Sequence, residues 1–276
     1  MTKGSEFEAV TKSLSRAARS SANGSREARS GSLDRFLDFQ RLSNRVHREA
    51  EAAVQAWTSW EVINKLLVTE SDVHKAAALF QLSEIGNIRV VLANSAILAA
   101  CRITDAPQKD RATLCRFVEE FEDKNNYEQF TSPQWVLDRG GPVGLADVEA
   151  AANRTRIARF LSLVPADWKN LPVGHDPTLS NLRAKILPLR TRALAHALDL
   201  AAPGGITIQD IHDFTKLVLN LATDAELVLT GGSVGWDKIH DLFEKEARKF
   251  WEPALREHVR NYQKHIRNKQ LAGVSG

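Results

Sequence analysis

Apolar residues recur at steps of three and four along most of the chain, and no run alternates with period two. Phe36, Phe39, Leu42, Val46, Ala50, Ala53, Trp57, Trp60 and Ile63 predict a first helix within residues 32–67, with Ser32 as its N-cap. The pattern predicts a long second helix from Glu70 to Asp105, ended by Pro107, and a shorter one within 108–124. Further helices are expected over Asp147–Val164 and from about Pro177 to the Pro203-Gly204-Gly205 stop. Two more should cover Thr207–Leu229, closed by Gly231-Gly232, and Trp236–Gln270, bent or broken at Pro253. Asn125–Gly144 reads as a loop whose Phe130 and Trp135 either pin it to the surface or stack on bases. The fold class is therefore all-α: an antiparallel helical bundle over residues 32–232 with an added C-terminal helical extension over 233–276.

Composition changes this picture little. The 276 residues carry 37 basic and 34 acidic side chains, a formal net charge of +3. Residues 1–31 hold that whole excess in a Ser-, Ala- and Arg-rich stretch, expected to be a disordered basic arm. The rest is neutral, which argues against a globally basic nucleic-acid platform and leaves only local patches. One such patch lies late in the chain, at Arg256, His258, Arg260, Lys264, His265, Arg267 and Lys269 against Glu257, and reads as a solvated helix face or as an RNA contact. Cys101 and Cys115 sit in apolar helical runs and read as buried, reduced thiols. The N-terminus lacks the apolar core of a signal peptide, and the run Val90–Cys101 is short for a bilayer, so a cytoplasmic location without membrane contact is expected.

The chain carries no phosphate-binding Gly-rich loop, nucleophile elbow or His-Glu-x-x-His zinc motif. Asp237 and His240 stand three apart, but a bundle metal site needs that pair twice. His258 and His265 lie about two turns apart, too far for one metal. No metal or cofactor is implied. The chemistry that remains lies in Leu182–Leu200. Leu182, Ile186, Leu189, Ala193, Ala197 and Leu200 form its apolar stripe, with Arg190 on one rim and His196 on the other. Arg192 shares the His196 side, and Asp199 follows His196 by three residues. An arginine fork stabilises phosphate charge, and a histidine moves a proton near neutral pH. From spacing alone the same residues read first as an ordinary helix face, with His196 paired to Asp199.

The run Arg190-Thr191-Arg192-Ala193-Leu194-Ala195-His196 resembles the signature of the HEPN superfamily, and most of all its abortive-infection branch. Val90–Pro107 looks like that branch's long second helix and Thr207–Leu229 like its closing helix, so the resemblance covers roughly residues 40–232. Thr191, where Asp, Asn or His is usual, and Pro188 depart from the pattern. The resemblance implies a HEPN-like bundle and a metal-independent endoribonuclease of the toxin–antitoxin or phage-defence type. His196 would transfer protons and Arg190 would stabilise the phosphate, with Thr191, Arg192 and Asp199 in support. It also implies RNA as partner, a homodimer that brings two Arg–His sets to one cleft, and room for an antitoxin or other partner protein. The alternative is a catalytically silent helical dimer that binds RNA, nucleotide or a protein.

Overall fold

The computed structural model describes residues 37–67, 83–106, 111–195 and 206–273, and among them the secondary structure is helical with no strand. The chain is all-α. It divides into two units, Met1–Leu42 and Ser43–Gly276. The expected basic arm, 1–31, lies outside the described residues.

Helix α1 spans residues 37–67 and belongs to the second unit from Ser43 onward. Its buried positions Val46, Ala50, Ala53, Trp57, Trp60 and Ile63 follow the predicted spacing, with the two indoles stacked at 4.6 Å. Both tryptophans are core residues. Helix α2 is Ser83–Ile103. It is the one described helix long and apolar enough to cross a membrane by composition. Its Ala93, Ala96, Ile97, Ala100 and Ile103 are buried, and it packs against two later helices, α7 and α8. Those are Pro177–Ala195 and Ile208–Thr230.

The span 125–144 is not the irregular loop that its residues suggest. Helices α3 (Cys115–Glu122), α4 (Lys124–Phe130) and α5 (Pro133–Asp138) lead to a 3₁₀ turn, Val143–Leu145. The Asp123 carboxylate accepts from the Asn126 amide at 2.9 Å, and the Ser132 hydroxyl from the Trp135 amide at 3.1 Å. Pro133 occupies the first turn of α5, where its missing donor costs nothing. Helices of seven and six residues complete too few turns to show a period, so only the caps signal them. Phe130 and Trp135 are buried with Phe121 and Phe160; Phe121 meets Phe130 and Phe160 edge to face, and the Trp135 ring lies tilted against Phe130. The Trp135 indole also donates to the Val228 carbonyl at 2.9 Å. These two rings anchor the segment and are not presented to bases.

Helix α6 is Ala146–Leu163. Helix α8 contacts α2, α6, α7 and the last helix, α9 (Trp236–Gly273), and is the centre of the packing. Its start is a reciprocal capping box between Thr207 and Asp210, and Gly231 at φ 77° ends it in the left-handed conformation. The α9 helix runs through Pro253 without a break. Ala247 and Leu255 on α9 pack with Val62, Ile63, Leu66 and Leu67 of α1, while Ile85, Ile88 and Leu92 of α2 close that cluster.

Candidate functional site

Helix α7 is fixed by Leu179 and Ile186, both fully buried, and by Leu189 at 6% exposure. Leu189 is therefore part of the chain's own core and offers no face to a second copy. With those positions inward, Arg183 and Arg190, seven residues and about two turns apart, come together at the C-terminal end of α2. Three carbonyls cluster at that end. The Thr104 hydroxyl donates to Ala100, the Leu114 amide to Ile103 at 2.8 Å, and the Arg183 guanidinium to Thr104 at 2.9 Å. A cation there complements the helix dipole. The Arg183 guanidinium also lies 4.6 Å from the centre of the Trp168 ring.

Asp105, buried to 7% exposure, follows the α2 terminus. One of its carboxylate oxygens pairs with Arg190 and the other with Arg111 at 3.1 Å. A doubly paired carboxylate holds both guanidinium groups from the protein side. Arg190 stands in the wall of an open cleft of about 630 Å³, which is also lined by Arg45, Arg48, Glu49, Ala52, Arg102, Arg111 and Ala112. Five guanidinium groups thus face two carboxylates, Glu49 and Asp105, a net charge of +3. Arg102 pairs with Glu49 at 3.6 Å across two half-exposed side chains. Arg45 and Arg48 have no ion-pair or hydrogen-bond partner among the described residues. Ala52 and Ala112 contribute only methyl groups, which leaves depth between the cations. No aromatic side chain lines the cleft, so it offers concentrated positive charge without a stacking platform.

Helix α1 explains Arg45 and Arg48. The steps 45, 48 and 52 follow one face while Val46, Ala50 and Ala53 are buried on the other. The residues missed from the sequence are Arg45, Arg48, Arg102, Arg111 and Asp105. The signal for Arg45 and Arg48 was present as an Arg-x-x-Arg on the polar face of the first helix. Arg111 and Asp105 are six residues apart and lie outside the helices, where no period relates them.

Of the residues predicted from the Arg–His motif, Arg190 reaches the cleft. Thr191 is exposed, and its hydroxyl turns back to the Leu187 carbonyl at 3.5 Å, a weak local bond. Arg192 lies in the last turn of α7 with its side chain outside the described part. His196 and Asp199 lie outside the described residues, as do the side chain of Ala193 and residue Ala197.

Two cysteines flank this region. Burial pushes the Cys101 thiol up to about 11 against the opposing pull of Arg190, and burial likewise carries Cys115 up to about 12. Both stay protonated near neutral pH and are poor nucleophiles there. Among the described residues no group of three His, Cys, Asp or Glu side chains is arranged to hold a metal ion. His240 pairs with Glu61 at 3.1 Å, and the other Glu61 oxygen meets His212 at 3.0 Å. This ties α1, α8 and α9 together.

No family model, curated protein or solved structure matches the chain.

Proposed function

We propose that the chain is a metal-independent endoribonuclease of the abortive-infection or toxin type, with the arginine cleft as its RNA site. The observation that carries this reading is the position of Arg190. The arginine of the HEPN-like motif stands in the wall of a cleft with four further arginines. A guanidinium has five N–H donors, and the carboxylate of Asp105 engages one terminal nitrogen of Arg190. The remaining donors can meet a phosphate. RNA supplies its own nucleophile. Its 2′-oxygen attacks the adjacent phosphorus, the bond to the 5′-oxygen breaks, and the 2′ proton is removed as another is delivered to the leaving oxygen. The products are a 2′,3′-cyclic phosphate and a 5′-hydroxyl. His196, one residue beyond the end of α7, would move the proton, and Arg190 would stabilise the extra charge of the five-coordinate phosphorus. One histidine serves poorly as base and acid together, so the active form would be a homodimer with two motifs at one cleft.

A second reading is favoured by the Arg190–Asp105 pair itself. An arginine held by a buried carboxylate also serves packing, as it would in a catalytically silent protein that only binds RNA. Incubation of the purified chain with mixed RNA in EDTA, beside His196→Ala, separates the two. Cleavage by the parent alone supports the ribonuclease. Equal cleavage by both proteins removes His196 from the mechanism, and binding without cleavage by either supports the silent protein.

A further inference from the structure

Helix α9 is 38 residues long, and only one of its faces is needed for packing. Ala247, Trp251, Leu255 and Val259 meet α1 and α2 at steps of four. On its exposed surface Lys245, Lys249, Arg256, Arg260 and Arg267 follow at steps of four, seven, four and seven residues. At about 100° per residue these five cations fall within a sector of roughly 60°, and at 1.5 Å per residue they extend over about 33 Å. No acidic residue falls inside that sector. Glu252 borders it and pairs with Arg256 at 2.6 Å. Lys245, Lys249, Arg260 and Arg267 have no carboxylate partner among the described residues. Midway along the ridge the surface dips into an open groove of about 630 Å³, where Arg248, Lys249, Arg256 and Arg260 outnumber Glu252 and Glu257.

From this stripe we infer a second nucleic-acid contact: α9 binds the sugar–phosphate backbone of an RNA strand outside the arginine cleft. RNA as the ligand rests on the reading proposed above, while the surface itself rests on α9 alone. The cations are spaced about 6 and 10.5 Å apart along the axis. Side chains as long as Lys and Arg can meet successive or alternate phosphates at such steps. A polyanion in extended form fits a ridge of this length, and the sector holds no aromatic side chain to read a base, so binding is independent of sequence. A membrane surface fits less well, because the apolar face that would enter the lipid is occupied by α1 and α2.

The test is fluorescence anisotropy with a labelled, mixed-sequence single-stranded RNA of about 20 nucleotides, titrated between about 50 and 200 mM salt. The full chain is compared with Lys249→Gln/Arg260→Gln/Arg267→Gln and with Arg45→Gln/Arg48→Gln. Each lost phosphate contact on a single strand lowers the slope of log affinity against log salt by about 0.7, so the α9 variant should lose about 2 from the slope and weaken at least tenfold. Circular dichroism should match the parent, since the three positions are exposed. Slope and affinity equal to the parent's would overturn the inference, as would a parent that binds phosphatidylserine vesicles but no RNA. If RNA is cut at the cleft while the α9 variant binds as the parent does, the inference falls and the ribonuclease stands. If the variant loses affinity and no protein cuts RNA, the ribonuclease falls and the α9 contact stands.

Discussion

Replacing Asp105 by Ala probes the joint that holds the cleft together. Asp105 keeps 9% of its side chain exposed and supports Arg190, at 24%, and Arg111, at 51%. Removing one partner of a fully buried pair costs about 3–5 kcal/mol, because the other charge is left uncompensated. Arg190 is only partly desolvated, and the half-exposed Arg111 contributes at most a few tenths, so the expected loss is about 2–3 kcal/mol. In a unit of this size that lowers Tm by roughly 5–10 °C. Urea denaturation followed by circular dichroism measures the loss. A double-mutant cycle with Arg190→Ala should give a coupling of about 1–2 kcal/mol between the two positions. Inorganic pyrophosphate should stabilise Asp105→Ala more than the parent, since an anion can take the vacated side of the arginines. Additive single mutants, or an Asp105→Ala protein as stable as the parent, would refute a positioning role for this carboxylate.

Two further outcomes rest on titrating groups. The hydrogen bonds from Lys185 and Thr207 hold the Asp210 carboxyl down at about 2, below its ordinary 3.8. The folded value is the lower one, so the stabilisation is complete above about pH 4 and is lost as pH falls towards 2. Urea midpoints measured across that range should fall less steeply for Asp210→Asn than for the parent. Burial lifts the Cys101 and Cys115 thiols, so a thiol reagent such as dithionitrobenzoate at about pH 8 should label the folded chain far more slowly than the urea-unfolded chain.

The long helices were legible because each keeps its three-to-four period over several turns. Ile186 and Leu189 on α7, and Val46 and Ala50 on α1, are buried where the pattern puts them. The short helices α4 and α5 were hidden, because Asp123 and Ser132 cap segments too brief for a period. Pro253 suggested a bend or a break, and α9 makes no break; one missing donor is tolerated in a helix whose Ala247 and Leu255 are anchored on α1. Arg190 was legible as a rim residue from its place beside the stripe. Its partner Asp105, 85 residues earlier, was not, because a pairing across two helices leaves no spacing in the sequence. Arg45 and Arg48 show the same limit. Their common face was readable, but the cleft they share with Arg102, Arg111 and Arg190 exists only once α1, α2 and α7 are packed.

If RNA bound in the arginine cleft is cut through its own 2′-hydroxyl, removing that hydroxyl must abolish cleavage without abolishing binding. The most direct measurement compares one single-stranded RNA with the same sequence made wholly of 2′-deoxynucleotides, both incubated with the full chain in EDTA. Both strands should bind, since the proposed contacts are to phosphates that the two strands share. The RNA alone should be cleaved, and its new ends should be 2′,3′-cyclic phosphate and 5′-hydroxyl. Cleavage of the deoxy strand at a similar rate, or RNA products ending in 5′-phosphate, would contradict this mechanism.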